Sequence, residues 1–304
     1  MAQVLFQSVA REWWERYMLR GAKHYANESW KRLEREVMPE LGQKPLRKID
    51  APAILTILRR IESRGTMETA HKLKSHISQI MRYGIACGLI HSNPARDLTW
   101  ALTPKQHTPR AAITTPRQIG LLMRDIETFP HKRRQCALKL AALTFVRSGE
   151  LCRAEWSEFE MDTAVWRIPA IKMKMKRAHI VPLSRQALDA LRELREITGD
   201  GRWLFPSRPD KNRPMGGTVL NTALRRMGYS PETMTTHGFR AMAATVLSEQ
   251  GWPSETIERQ LAHVDRNQVR AAYQRSELLA ERSKMMQAWA DFLDMRCACA
   301  ILGK

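Results

Sequence analysis

Apolar residues recur at helical spacing through the first hundred positions. Phe6–Leu19 carries Val9, Trp13 and Tyr17 on one stripe, and Asn27–Leu41 repeats the pattern with Trp30, Leu33, Val37 and Leu41; this is the period of an amphipathic helix. A third helix opens at Asp50-Ala51-Pro52, with Asp50 as N-cap and Pro52 in the first turn, and Gly65 closes it. A fourth is predicted from about Met67 to Cys87, ending at Gly88 before the Asn93-Pro94 breaker. Residues 98–113 hold two prolines and three threonines without a period, the composition of a linker. Helices follow near 116–128 and 132–145. The period then shortens to two: Ala164–Pro169 and His179–Leu183 alternate like strands around a basic turn, Lys172–Arg177. Helical spacing resumes at 184–197, 217–227, 237–250, 254–262, 266–274 and 277–293. The predicted fold is mainly α with a small antiparallel β-sheet. Its parts are a helical domain over 1–97, a linker over 98–113 and a larger domain over 114–304 that ends in a C-terminal tail.

Charge changes this picture from fold to partner. Fifty Lys and Arg face thirty-one Asp and Glu, a formal net charge of +19. Such a surplus points to a polyanion, because each cation set on a phosphate releases condensed counterions. Residues 1–103 carry 17 basic and 10 acidic side chains and the remainder 33 and 21, so the charge is not a detachable tail. Two basic lobes on a strap suit a protein that closes around a duplex, though a repressor would share that geometry. The five cysteines are scattered, and Cys297-Ala298-Cys299 has no metal-finger spacing, which favours reduced thiols in the cytoplasm and no zinc. No apolar run is long enough to span a membrane.

The polar residues of the larger domain have ordinary explanations when taken singly. Arg147, at the Ser148-Gly149 break after an apolar helix, can answer a helix dipole, and Glu150 can pair with it as a structural ion pair or orient it toward a phosphate. His237 and Arg240 share a helix face at i and i+3, with Thr235 or Thr236 able to cap that helix and leave its amide donors beside them. His263 ends a helix. Tyr273 rides on the next one, which Asp265 and Gln268 would start as a capping box. A lone tyrosine is more often a packed aromatic than a nucleophile.

Their order is what carries meaning. Arg147…Glu150, Lys174 in the basic turn, His237…Arg240, His263 and Tyr273 ten residues later resemble the tyrosine recombinases, or phage integrases. Flanking words are similar too, including Thr236-His237-Gly238-Phe239-Arg240, Gln260-Leu261-Ala262-His263-Val264 and Ala271-Ala272-Tyr273-Gln274-Arg275. Trp166-Arg167-Ile168-Pro169, Met285-Met286-Gln287-Ala288-Trp289 and Trp30-Lys31-Arg32-Leu33-Glu34 resemble the satellite-phage type in particular.

That resemblance implies a DNA breaking–rejoining catalytic domain behind a helical core-type DNA-binding domain. It implies site-specific recombination through a 3′-phosphotyrosine on Tyr273. Arg147, Arg240 and His263 would hold the phosphate, Lys174 would protonate the leaving oxygen, and His237 would take or orient the tyrosine proton. Glu150 would support Arg147. Lys172 and Lys176, on the same turn as Lys174, are expected to be solvated cations. No metal or other cofactor is implied. The implied partner is double-stranded DNA at core attachment sites, bound by a homo-tetramer that is monomeric when free and is helped by DNA-bending accessory proteins. The arm-binding domain with which satellite-phage members usually begin is not expected in this chain. Two competing readings share these residues: a DNA-binding regulator that keeps the fold without catalysis, and a relaxing enzyme like the type IB topoisomerases. The apolar tail, Met285–Leu293 and then Met295 to Leu302, either folds back on its own domain or docks onto a neighbouring protomer, as the family's tails do.

Overall fold

The computed structural model describes residues 3–21, 23–104, 111–263 and 278–302. The chain divides into two compact units, Met1–Thr108 and Pro109–Lys304. In the first, α1 (Phe6–Trp13) runs on into a π-helical turn, Trp14–Met18, and is followed by α2 (Lys23–Glu36), α3 (Ala51–Ser63) and α4 (Met67–Ala86). The capping expected at α3 is present, with Asp50 Oδ1 accepting from the Ala53 amide at 3.0 Å. The apolar stripes meet in one core: Phe6, Val9, Trp13, Leu33, Ile57 and Ile80 are all buried there.

The stretch expected as a linker from residue 98 begins instead as structure. Leu98–Ala101 form a 3-10 turn whose Leu98 is buried with Leu102 in the first core. Thr103 is tied down as well. Its amide donates to Glu62 Oε1 at 2.8 Å, and its carbonyl lies 2.8 Å from His71 Nε2. Two leucines four apart suffice to seat a single turn, a signal too short for a periodicity to register. At the other end, Ile113 is already buried in the second core.

The second unit contains α5 (Pro116–Glu127), α6 (Lys132–Thr144) and the one-turn α7 (Ser148–Cys152), then a sheet of β1 (Phe159–Glu160), β2 (Val165–Ile168) and β3 (His179–Pro182). The strands are antiparallel in the order β1-β2-β3, with Phe159 opposite Trp166 and Arg167 opposite Ile180. β1 was not foreseen, since two residues display no alternation. It shields Trp166, which stacks on Phe159 with ring centroids 4.9 Å apart and donates Nε1–H to Glu158 at 2.9 Å. Helices α8 (Arg185–Thr198), α9 (Val219–Arg226), α10 (Gly238–Glu249), α11 (Ser254–Gln260) and α12 (Leu279–Ile301) complete the unit. The helix expected over 266–274, with Tyr273, lies outside the described residues. Among those described, no helix is long and apolar enough to cross a membrane.

Helix α12 corrects the expectation for the tail. It continues well past Leu293, to Ile301, and its apolar face packs within its own unit, the first of the two arrangements that the sequence leaves open. Met285, Met286, Trp289, Ala290 and Leu293 are buried in the second core, and Trp289 Nε1 donates to the Ala142 carbonyl at 2.9 Å. Farther along, α12 crosses α5 so closely that a β-carbon on Gly120 would stand 2.3 Å from the Arg296 carbonyl oxygen and 3.2 Å from the Ala300 methyl. Residues 296–300 are therefore seated on their own domain. Met295, Ile301 and Leu302 remain exposed.

Because the opposing group at Gly120 is backbone, it cannot turn aside as a side chain would. Gly120→Ala should cost about 1–3 kcal/mol of stability from overpacking, against a small gain in helix propensity. Urea unfolding of the full chain measures it; an unchanged or higher midpoint would contradict this crossing.

Candidate active site

Three chain reversals create the site. Helix α6 ends when Phe145 takes the left-handed conformation, φ 40°, ψ 33°. That conformation is costly for a residue with a β-carbon, and Phe145 is fully buried against the edge of Trp289 from α12, ring centroids 6.3 Å apart. Helix α11 ends in the same way at Ala262, φ 49°. Helix α10 begins after Thr235, whose Oγ1 accepts from the Gly238 amide at 3.2 Å. Gly238 has no room for a side chain, because a β-carbon there would lie 2.6 Å from the Ala111 carbonyl oxygen.

Two arginines lace these reversals together. Arg240, in the first turn of α10, is buried; its Nη1 donates to the Phe145 carbonyl at 2.8 Å and its Nη2 to the Leu261 carbonyl at 2.6 Å. Arg147, half-buried at the start of α7, donates Nη2 to the Ala262 carbonyl at 3.4 Å. Arg147 stands three residues past the carbonyl end of α6 and is also the N-cap of α7, and its guanidinium reaches the carbonyl end of α11, where a cation is favoured. Glu150 answers its charge as well. One carboxylate oxygen accepts from the Arg147 amide at 3.0 Å and the other from its Nη1 at 2.9 Å. Burial, with Arg147 nearby, pushes Arg240 down to about 10, and it stays cationic at neutral pH.

His263 completes the cluster. Its Nδ1 lies 2.5 Å from Glu258 Oε2 and its Nε2 lies 3.3 Å from Arg240 Nη2. A carboxylate only accepts, so Nδ1 carries the proton that faces Glu258. His237 sits half-buried at the start of α10, one turn before Arg240. Arg147, Glu150, Arg240 and His263 are thus brought together by direct contacts. Lys174 is on the exposed part of the β2–β3 connection and makes no ion pair or hydrogen bond among the described residues. Tyr273 lies outside them.

The neighbouring lysines divide in a way the sequence did not foretell. Lys172, expected to be solvated, is half-buried; its Nζ donates to Glu155 at 2.7 Å and to the Arg153 carbonyl at 2.8 Å, and it pairs with Glu158. Glu155, bonded to Arg202 and then Lys172, is held down at about 2. Lys176 is exposed, with φ 52°. Sequence reasoning also missed Glu258, whose place one helical turn before His263 looks like surface charge. It missed the carbonyls of Phe145, Leu261 and Ala262, for which no side-chain signal exists.

Comparison with known proteins gives the family. Residues 6–101 match the phage integrase central domain, and residues 113–278 match the phage integrase family. The integrase of Enterobacteria phage P4 is 39% identical over 95% of this chain and 69% of its own length. Among solved structures, a lambda integrase (75–356) dimer bound to a COC′ core site superposes with a TM-score of 0.69 at 20% identity, covering 86% of this chain and 96% of that one. A lambda integrase tetramer bound to a Holliday junction gives 0.69 at 19% identity, over 90% and 78%. The chain belongs to the phage integrase family, the tyrosine-type site-specific DNA recombinases.

Lys172→Ala removes the cation from the buried Glu158 and one of two from Glu155, which keeps Arg202, and should lower stability by about 1–3 kcal/mol, the scale of a lost charged hydrogen bond. Lys176→Ala and Lys174→Ala should stay within about 0.5 kcal/mol. Chemical denaturation of the three variants separates the clamp from the free lysines, and equal effects would refute the division.

Proposed function

We propose that this chain recombines DNA by cutting and rejoining one strand at a time through Tyr273. The observation that carries the reading is the convergence of two guanidiniums and His263, whose carbonyl and carboxylate partners draw only part of their hydrogen-bonding capacity. A guanidinium has five N–H donors. Arg240 uses two on carbonyls, and Arg147 uses its Glu150 and Ala262 contacts. The remaining donors suit the non-bridging oxygens of a phosphodiester, where negative charge builds up as phosphorus becomes five-coordinate. A planar fork fits this task better than an ammonium does.

In this reading the Tyr273 oxygen attacks phosphorus and the bond to the 5′-oxygen breaks, leaving a 3′-phosphotyrosyl ester and a free 5′-hydroxyl. The ester stores the energy of the broken bond, so resealing needs only the reverse attack by a 5′-hydroxyl. His237 accepts the tyrosine proton or orients the phenol. Lys174, left free while Lys172 is clamped, gives its proton to the departing 5′-oxygen. When His263 is protonated, Nε2 becomes a further donor, with Glu258 opposite to balance the charge. The substrate is double-stranded DNA at core attachment sites, handled by the first unit together with the second, in a tetramer assembled on DNA from free monomers. Accessory DNA-bending proteins would assist. The setting is the cytoplasm, at the nucleoid, and the outcome is integration or excision of a mobile element.

The test is incubation with candidate attachment DNA nicked just beyond the cut, which traps the covalent intermediate on a denaturing gel. The wild type should form the adduct and Tyr273→Phe should not, with DNA affinity unchanged. An adduct in Tyr273→Phe sinks the nucleophile; no adduct in the wild type, with tight binding, favours a regulator. Relaxation by monomers without strand exchange favours the topoisomerase reading.

Arg240→Lys should lose roughly 10²–10³-fold in cleavage rate, as for a lost transition-state donor. A 5′-bridging sulfur leaves without a proton, so that substrate should rescue Lys174→Ala far more than Arg147→Ala. Rescue confined to Lys172 or Lys176 variants would move the acid to another lysine.

A further inference from the structure

Arg282 stands in the stretch Glu281-Arg282-Ser283-Lys284, which looks solvated, yet it is fully buried. Inside the second unit its Nε and Nη2 donate to Gln260 Oε1 at 3.1 and 2.7 Å, and Nη2 also donates to the Ile180 carbonyl. Gln260 is fully buried too. It donates Nε2–H to the Thr144 carbonyl at 3.3 Å, and its own backbone carbonyl lies 3.1 Å from His179 Nε2. Burial and then the nearby Arg282 push His179 down to about 3, which leaves its ring neutral and Nε2 a donor to that carbonyl.

The placement of these contacts along the chain is what matters. Thr144 is three residues before Arg147. Ile180 is on β3, six residues after Lys174. Gln260 is three residues before His263, and Arg282 is nine residues after Tyr273. One side-chain pair therefore joins the turn that carries Arg147, the strand that leaves the Lys174 hairpin, and both flanks of the stretch that contains the tyrosine. Stability alone would not ask for this arrangement. A buried charge is expensive to desolvate, and an apolar residue of similar size is often as stable or more so. Helix α12 already buries Met285 and Met286 one turn farther on.

We propose that Arg282, acting through Gln260 and the Ile180 carbonyl, is a positioning residue for strand cleavage. It fixes the Arg147 turn, the Lys174 strand and the flanks of the tyrosine segment in a single register. The inference rests on the phosphotyrosine reading above. A misplacement of about 1 Å among reacting groups costs up to about 10²-fold in rate, which sets the size of the effect.

The experiment uses the full chain and the nicked attachment DNA, at saturating protein and well below the melting midpoint of every variant. It compares the wild type, Arg282→Met, Arg282→Lys, Gln260→Met and Tyr273→Phe. Arg282→Met and Gln260→Met should form covalent adduct about 10–100-fold more slowly in a single turnover, with DNA affinity within about threefold of the wild type. Arg282→Lys keeps the cation but cannot hold Gln260 through two nitrogens, and its rate should fall between. Melting midpoints are recorded alongside. A purely structural role would lower the midpoints and leave the rate per folded molecule within about twofold, and that result overturns the inference. If Arg282→Met does not fold, Gln260→Met, which removes the acceptor and no charge, decides alone. Active wild type with unaffected variants refutes this inference only; wild type indistinguishable from Tyr273→Phe refutes the phosphotyrosine reading and this inference with it.

Discussion

A guanidinium leaves water only where acceptors wait for it, and at Arg240 the acceptors are main-chain carbonyls rather than a carboxylate. That choice has two effects. Carbonyls orient the fork without cancelling its charge. Carbonyls are also parts of the chain, so the bonds that orient Arg240 equally pin the ends of α6 and α11. The left-handed turns at Phe145 and Ala262 fit this arrangement. Each is unfavourable by itself and persists because surrounding contacts over-determine it. Glu150 orients Arg147 with one oxygen on the backbone amide and the other on the guanidinium, and as a carboxylate it also offsets that charge. The geometry of the arginine cluster and the helix boundaries are here the same set of contacts.

The hairpin beside the site follows a complementary rule. Of the lysines on one short turn, Lys172 is immobilised by Glu155 and Glu158, which fixes the base of the loop against the sheet. Its neighbours at 174 and 176 are left in solvent. Among the described residues their side chains have no hydrogen-bond or ion-pair partner, so either can move without breaking a contact. Trp166, stacked on Phe159 and bonded to Glu158, makes the anchoring end rigid.

Much of this was legible in the sequence. Helical stripes such as Val9-Trp13-Tyr17 and the Asp50 cap carried the helical architecture, because each side chain that sets the period also lies in the core. The order of Arg147, Glu150, Lys174, His237, Arg240, His263 and Tyr273 carried the family. Illegible were features whose cause lies outside the local pattern. β1 is two residues long. Leu98 and Leu102 dock a turn that its prolines and threonines disguise. Arg282 and Lys172 look like surface cations, because the spacing of charges along a helix or loop does not reveal that a buried acceptor lies opposite. The extent of α12 was hidden for a similar reason. Its later residues face α5 across a crossing that only Gly120 permits, and a glycine in a helix advertises no partner.

The dependence of Phe145 on Trp289 has a consequence for the time at which the protein acquires its chemistry. Arg147 is made near the middle of synthesis, but the ring that holds its turn belongs to the last helix, and the braces between them join positions more than a hundred residues apart. Contacts of such separation form late, after the entropy of closing long loops has been overcome. The helices of the first unit share a core of their own and can form long before the turn at Phe145 is braced. The Arg147 turn thus waits on the last described helix for its final geometry.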